Sequence, residues 1–504
     1  MENDKEFYLH YRDRPINIFR QYLAAALVSL GHFTFGVVVI QSTMMTHHLQ
    51  LNQVYTDHQI YSAVAITAIG MMVGAAASSL PLTYCGPRTL TILLCPPTVG
   101  AAVMTSYGGS LTTLLLGRLA LGVANGLCFS CTPAFIGSVS SGHRRGLLST
   151  LPDLLTPLGS IVVSILGAAM SWNSGTLLLI AACQGVKLVG LLTVHESPRW
   201  LRAYGCEQAS KSSWTFYHTT DENASGTVLD NTMDLDKNSF VSASLTWPEM
   251  FRQLRQKHVL IPVGISCLMY QMKIACGSTV IFYYGLKMIK ESSSGDTGML
   301  DISVCLAGAL VGSAVACRLC DRVGRRPLLL VTSAVNTLLL VTLTLVFEAD
   351  TRWPFLQDSP WSWTPIVLAA TFLLTVSTGI SPLADVLNSD LVPSALAPLA
   401  NSVIFLMQGL GTFTSLSLTP YMLDWLGRST VFAGLAASNF ALIPVTYFLL
   451  PETKNLELEE IQEMFRVKFS RAHKKSRADQ AEKSCHDVRE VSKHPQEEDE
   501  KSAV

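Results

Sequence analysis

The stretch CLMYQMKIACGSTVIFYYG, which runs from Cys267 to Gly285, is apolar and long enough to cross much of a lipid bilayer. It nevertheless contains one charged residue, Lys273, near its start. A charge at membrane depth is costly, so this lysine needs either water or an acidic partner. The stretch therefore raises two questions: whether the whole chain lies in a membrane, and what stabilises the lysine there.

The composition is that of a membrane protein. Hydrophobic residues make up 49% of the 504 positions and charged residues only 14%, whereas a soluble protein carries about 25% charged residues. Such a chain has too few charges to cover a water-exposed surface, so the lipid bilayer is its predicted partner. The net charge of −1 gives no basic surface for nucleic acid.

Apolar segments of about 20 residues predict an all-α membrane protein with twelve transmembrane helices in a 6 + 6 arrangement. The segments lie near 20–42, 59–83, 89–106, 111–136, 151–172, 174–194, 258–284, 297–317, 327–347, 363–387, 397–421 and 430–450. The predicted divisions are an N-terminus over 1–19, a six-helix bundle over 20–196, a central loop with short helices over 197–257, a second six-helix bundle over 258–450, and a tail over 451–504.

Basic residues in the short loops predict the orientation. The chain begins with Lys5, Arg12 and Arg14, and the loop after the fourth segment contains HRRG. On the opposite side, HHLQLNQVYTDHQ and SYGGS contain no Lys or Arg. Both termini and the central loop are therefore predicted to be cytoplasmic.

Motifs for catalysis and for bound cofactors are missing from the sequence. It has no GxxxxGKS nucleotide cradle, no HExxH metal pair and no GxSxG nucleophile turn. Its twelve cysteines are scattered, several of them inside apolar runs, and are expected to be small buried side chains. We therefore expect neither an enzyme nor a bound cofactor or metal.

Three charged motifs fall where cytoplasmic helix ends are predicted: HESPRWL (His195–Leu201), DRVGRRP (Asp321–Pro327) and PETK (Pro451–Lys454). One such motif alone would simply mark a helix end, but three at equivalent places of a 6 + 6 chain are far more specific. With GRLALGVANG, VIFYYG and GISPLADVLNSDLVP, the chain resembles the sugar porters of the major facilitator superfamily. Among these it looks most like insect-type facilitated trehalose transporters.

The resemblance implies two six-helix bundles that rock about a substrate site near the membrane midplane. It implies a small-molecule solute as cargo, location in the plasma membrane and function as a monomer. It also implies a cytoplasmic gate of salt bridges, for which the candidate residues are Arg145, Glu196, Arg199, Asp321, Arg322, Arg325, Arg326, Asp390 and Glu452. Exposed pairs contribute only about 0.2–1 kcal/mol each, but a network made in one state can bias a two-state equilibrium.

The first half of the chain departs from the family pattern at this gate. After the second segment the chain has YCGPR, with Pro87 and only Arg88, where the family has two arginines. After the fourth segment it has PAFIGS, with Ser138 in place of an acid. Both partners have lost charge together, so we expect a weaker lock on the cytoplasmic side.

The positions that contact sugar in the family also differ. Matching the segments without gaps puts Lys273 and Ser278 at amide positions of the seventh segment, Asp153 at a Gln of the fifth, Asp385 at a Trp of the tenth and Gln408 at an Asn of the eleventh. These five residues are the candidate substrate-cavity residues. They replace most of a neutral sugar site with two acids and one base.

Several interpretations of these charges remain open. Lys273 is expected to face a wet cavity and to pair with Asp153 or Asp385, but it could instead extend to a membrane surface, and each Asp could cap a broken helix beside a proline. Proton coupling through Asp153 is a further alternative, although Val38 stands where proton-driven relatives carry an Asp.

His32 in the first segment is expected to be structural, and Lys187 is expected to lie near the end of the sixth segment.

The predicted function is facilitative transport of a small polar solute, by family default a sugar such as trehalose or a hexose. Two alternatives stay open: a transport-deficient sensor or receptor descended from a porter, and a proton-coupled carrier of a charged or zwitterionic solute.

Overall fold

The computed structural model describes residues 18–140, 145–218, 247–290, 298–352, 363–392 and 396–450. These residues form helices joined by short turns, with no β-strand among them. The spans of the first half are Ile18–Leu51, Asp57–Ala77 continued by Ser79–Cys85, Pro87–Leu93 with Cys95–Tyr107, Leu111–Val139, Arg145–Ser149 with Leu151–Ala169, and Trp172–Leu192.

The second half repeats this plan after three short helices, Pro198–Ala203, Glu207–His218 and Trp247–Leu254. Its spans are Lys257–Ala275 with Ser278–Lys290, Gly298–Val323, Arg325–Arg352, Thr364–Thr378 with Ile380–Leu391, and Ala397–Leu449. We call the end of the bundle where the first span begins the inner end, and the opposite end the outer end.

The last helix, Ala397–Leu449, accounts for two spans. Its 53 residues would extend over about 80 Å, whereas the hydrocarbon core of a bilayer is only about 30 Å thick. Gly427, with φ 80°, bends the helix back between the eleventh and twelfth spans. Ten described helices are long and apolar enough to cross a membrane. This helix counts as two spans, and the broken seventh span adds one more, which gives twelve. The predicted all-α architecture with twelve spans is therefore confirmed.

The outer surface of the bundle is suited to lipid. Leu338, Leu345 and Phe448 are each more than half exposed on their helices. Extended apolar surface of this kind is costly in water and marks contact with a membrane or a partner. The pattern agrees with the low charge content of the sequence.

Each half packs through close helix pairs, and the halves then meet along a few spans. The first span packs on the fifth and the second on the fourth, while in the second half the eighth packs on the tenth. Gly36 and Gly159 allow the first of these approaches, because a Cβ on Gly36 would lie 2.0 Å from the Thr156 carbonyl oxygen. Between the halves, the second span meets the eleventh, the fifth meets the eighth, and the first meets the outer part of the seventh.

The structure corrects several predicted boundaries. The first span covers Ile18–Leu51 instead of 20–42, because the helix continues beyond the apolar run into STMMTHHLQL. The seventh span, predicted to be continuous over 258–284, breaks at Gly277, whose φ of +94° favours glycine. No separate loop divides the eleventh and twelfth spans. The predicted tail and most of the N-terminus lie outside the described residues.

Candidate functional site

A cavity lies between the two halves. Spans 1, 2, 4 and 5 line it from the first half, and spans 7, 8, 10 and 11 line it from the second. The space open to the centre of a water molecule is about 120 Å³, and one water needs about 10–15 Å³ on that measure. The cavity can therefore hold several waters or one small solute.

Lys273 lies in this cavity between two carboxylates. Its Nζ is 3.3 Å from Asp153 Oδ1 and 3.1 Å from Asp385 Oδ2. Asp153 belongs to the first half, whereas Lys273 and Asp385 belong to the second, so the three residues form an ionic bridge between the halves. We call them the ionic triad. Lys273 does not extend to a membrane surface in this structure.

Two members of the ionic triad lie at helix ends. Asp153 is in the first turn of Leu151–Ala169, which begins beside Pro152, and Lys273 is in the last turn of Lys257–Ala275, which ends before Gly277. A negative charge at a helix start and a positive charge at a helix end are both stabilised by the helix dipole. Asp153 Oδ1 accepts its hydrogen bonds from side chains, those of Lys273 and Ser381, and not from the N–H groups of its own helix start.

Two neighbours of the triad were not predicted. The Tyr270 hydroxyl donates a hydrogen bond to Asp385 Oδ1, and the Ser381 hydroxyl donates to Asp153 Oδ1 at 3.2 Å. The sequence does contain a signal for both. Tyr270 precedes Lys273 by three residues and Ser381 precedes Asp385 by four, and such spacings put side chains on the same face of a helix.

Two buried polar atoms in the cavity have no hydrogen-bond partner among the described residues: Asp153 Oδ2 and His32 Nδ1. His32 is only 8% exposed and lines the cavity from the first span. Its ring packs against Phe129 in a T-shaped arrangement, with centroids 4.5 Å apart. The histidine expected to be structural therefore lies in the candidate site.

The remaining candidates differ in position. Ser278 and Gln408 both line the cavity, and the Ser278 hydroxyl donates to the Lys273 carbonyl oxygen at 3.4 Å. Lys187, by contrast, is buried within the sixth span and is not among the lining residues. The role of the five candidates as substrate contacts stays a prediction.

The halves touch on both sides of the cavity. Towards the outer end, the Thr43 hydroxyl donates to the Tyr283 carbonyl oxygen at 3.0 Å. Towards the inner end, the hydroxyl oxygens of Ser78 and Ser402 lie 2.9 Å apart, and Thr150 Oγ1 lies 3.0 Å from Cys317 Sγ. We call these two pairs the inner hydroxyl contacts. The halves are thus joined by hydrogen-bonding groups on both sides of the cavity.

Glu196, a predicted member of the charged gate, acts within the first half. Its carboxylate accepts hydrogen bonds from the backbone N–H groups of Arg88 and Thr89, each at 2.9 Å, at the start of helix Pro87–Leu93. The Arg88 guanidinium points elsewhere and donates from Nε to the Leu191 carbonyl oxygen at 2.8 Å. Glu196 thus ties the third span to the end of the sixth, and the hydrogen bonds of its carboxylate to described residues all lie within the first half.

Arg326 makes a contact within the second half. Its guanidinium donates to the Tyr447 carbonyl oxygen and lies 4.8 Å from the centroid of the Tyr447 ring, which joins the ninth span to the twelfth. The other described gate candidates also lie at the inner end, on the helices around them: Arg199, Arg322 and Arg325. The side chains of Arg145, Asp321 and Asp390, and the whole of Glu452, are outside the described residues. A salt-bridge gate between the halves therefore stays a prediction.

Comparison with known proteins places the chain among transporters. The family model described as "Sugar (and other) transporter" matches residues 21–465. Sugar transporter ERD6-like 6 of Arabidopsis thaliana is 25% identical over 467 residues, covering 90% of this chain and 92% of that protein. Facilitated trehalose transporter Tret1 of Drosophila willistoni is 24% identical over 456 residues, covering 89% of this chain and 51% of that protein. This chain thus spans about half the length of that transporter.

Solved structures agree on the fold. The proton:xylose symporter XylE bound to 6-bromo-6-deoxy-D-glucose superposes with a TM-score of 0.72 at 18% identity, covering 89% of this chain and 99% of that chain. A partially occluded, inward-open form of XylE from E. coli gives a TM-score of 0.69 at 18% identity, covering 86% and 98%. At this identity the likeness shows the major facilitator fold.

Proposed function

Because this chain belongs to the sugar porters of the major facilitator superfamily, we propose that it carries a small polar solute across the plasma membrane by facilitative alternating access. A sugar such as trehalose or a hexose is the family default. Both termini face the cytoplasm in this proposal.

The observation that supports the proposal most is the position of the cavity. Residues of both halves line it, among them Asp153 from the first and Lys273, Asp385 and Gln408 from the second. A site made by both halves changes its access when one half pivots on the other, which is the basis of alternating access. A pocket inside one half would not do so.

The lining also suits a hydroxylated solute. Hydroxyl groups of Thr156, Ser160 and Ser377 offer hydrogen bonds, and the rings of Phe35 and Phe282 offer flat apolar faces. Small-molecule sites typically combine a largely apolar wall with a few polar groups that orient the ligand. The ionic triad is the part of the lining that differs from the sugar site implied by the resemblance.

The triad gives a route for coupling solute binding to movement. Asp153 is held to the second half by Lys273 and Ser381. A solute that takes over some of these hydrogen bonds would loosen the link between the halves and shift the equilibrium between their arrangements. Movement then requires breaking either the inner hydroxyl contacts or the outer contact at Thr43.

The test is counterflow in proteoliposomes that contain the purified chain. Labelled trehalose and labelled glucose are added outside vesicles preloaded with the same unlabelled sugar, with protein-free vesicles as the control. We expect saturable, transient accumulation of at least one sugar without any imposed ion gradient. Absence of counterflow for every solute tried, with a correctly folded protein, would contradict transport and favour a sensor or receptor. Tags on each end, tested for accessibility in intact cells, check the orientation.

A further inference from the structure

The charges of the groups that line the cavity do not sum to zero. Asp153 and Asp385 contribute two carboxylates, whereas Lys273 contributes one ammonium group. The other lining side chains that can ionise are His32, Tyr270 and Tyr283, and these are neutral in their usual forms near pH 7. With both acids ionised, the described cavity therefore carries a net charge of −1.

The carboxylate oxygen that lacks a donor belongs to Asp153. Each oxygen of Asp385 has a donor, Tyr270 for Oδ1 and Lys273 for Oδ2. In Asp153 both donors, Lys273 and Ser381, reach the same oxygen, Oδ1. Asp153 Oδ2 is buried and has no hydrogen-bond partner among the described residues. A buried carboxylate oxygen without a donor is unfavourable, so a further donor is expected there.

His32 provides a second, independent indication of a ligand. Its Nδ1 also has no partner among the described residues, and the side chain is more than nine-tenths buried while lining the same cavity. Both atoms that lack a hydrogen-bond partner belong to the first half, on the first and fifth spans. The aromatic ring of Phe129 lies beside His32, and the face of such a ring attracts a cation.

We propose that the transported solute carries a positively charged amino group next to its hydroxyl groups, as in an amino sugar or a small hydroxylated amine. This inference rests on the proposed transport function and specifies its substrate class. The ammonium group binds Asp153 Oδ2, and a hydroxyl of the solute bonds to His32 Nδ1. The loaded cavity is then neutral, which lowers the cost of holding these charges at membrane depth while the site is closed to water.

A neutral sugar would leave the cavity at −1 unless a proton neutralised Asp153. The two possibilities predict different selectivity. An ammonium site prefers an amine over the matching alcohol or amide at constant pH, whereas a proton site shows no such preference and makes sugar uptake respond to a proton gradient.

The experiment compares D-glucosamine with two neutral relatives, D-glucose and N-acetyl-D-glucosamine, in the proteoliposome assay. We expect glucosamine to have a KM at least about tenfold below that of glucose, because a hydrogen bond to a charged partner is stronger than a neutral one. N-acetyl-D-glucosamine should behave like glucose or worse. Asp153→Asn should abolish the preference, whereas Asp424→Asn, an exposed acid outside the cavity, should retain it.

Each other result overturns the inference. If glucose or trehalose is transported and glucosamine has no advantage in the wild-type chain, the solute class is wrong although the transport function stands. If glucose uptake instead rises with an inward proton gradient and the amine has no advantage, a proton fills the position at Asp153. If no solute moves, the transport function itself fails and the inference with it. The wild-type selectivity decides the matter even if Asp153→Asn does not fold, which its elution profile and melting temperature would reveal.

Discussion

The middle of this molecule and its inner end use opposite kinds of polar contact between the halves. In the cavity, Lys273 bridges two carboxylates within 3.3 Å. At the inner end, two pairs of neutral groups also join the halves, Ser78 with Ser402 and Thr150 with Cys317.

The difference suggests what each region has to do. A contact that must break in every transport cycle should be weak, and a neutral hydrogen bond contributes only about 0.5–1.5 kcal/mol. A charged pair removed from water is different, because losing one partner leaves an expensive buried charge. The ionic triad therefore suits a permanent feature of the site, and the inner hydroxyl contacts suit a gate that opens readily.

The largest effect is expected from cross-linking the two halves at the inner hydroxyl contacts. Thr150→Cys places a second thiol opposite Cys317, whose sulfur is 3.0 Å from the Thr150 hydroxyl oxygen, close enough for a disulfide to form with a small adjustment. Oxidation should then stop transport almost completely, because the inner end can no longer open, and a reductant should restore it. Transport by proteoliposomes before and after each treatment measures this.

The control for this variant is Thr150→Cys combined with Cys317→Ser, which should stay active after oxidation. If the cross-linked chain transports at its original rate, the halves do not separate at this contact, and the inner end is not the gate.

A smaller but still large effect is expected from breaking the triad. Lys273→Met leaves Asp153 and Asp385 buried without their cation. Removing one partner of a fully buried pair costs about 3–5 kcal/mol, and partial access to cavity water should reduce this to about 2 kcal/mol. The free energy of unfolding and the melting temperature in detergent should fall accordingly, and a further Asp153→Asn change should recover part of the loss.

Lys187→Met is the matched control. Lys187 is only 2% exposed in the sixth span, and it is not among the residues that line the cavity. Its removal should leave the melting temperature unchanged or raise it. An equal loss in both variants would show that the triad contributes no more than any buried lysine.

The smallest effect is expected from removing one of the inner hydroxyl contacts. Ser402→Ala removes the hydroxyl contact with Ser78 and should cost the closed inner end about 1 kcal/mol, which corresponds to about a fivefold shift towards opening. Because Cys317 belongs to the other inner hydroxyl contact, its rate of alkylation, followed by peptide mass spectrometry, reports the opening.

Ser438→Ala tests whether the effect is specific to the contact between halves. The Ser438 hydroxyl donates to the Ala275 carbonyl oxygen at 2.9 Å within the second half, so this variant should leave the labelling of Cys317 unchanged. A Ser402→Ala chain that labels no faster than wild type would show that other contacts hold the inner end closed.

Parts of the candidate site could be predicted from single residues and their neighbours along the helix. The need of Lys273 for an acidic partner follows from the cost of a charge at membrane depth. The contributions of Tyr270 and Ser381 were missed, although their helical spacing from Lys273 and Asp385 was visible. The hydrogen bonds of Glu196 to the backbone were not predicted, because a carboxylate near two helix ends can bond to backbone N–H groups as well as to an arginine, and the sequence alone does not distinguish these.

The sequence by itself determined the membrane location, the all-α class and the number of spans, since these depend on the length and apolarity of local segments. Only the tertiary structure decided that Lys273 binds both acids at once, that Asp153 keeps one oxygen unfilled, and that Ser78 meets Ser402 across the inner end. The contacts of Lys273 with the two acids and of Ser78 with Ser402 each join residues more than a hundred positions apart. Their geometry depends on how the two halves pack, which no local pattern specifies.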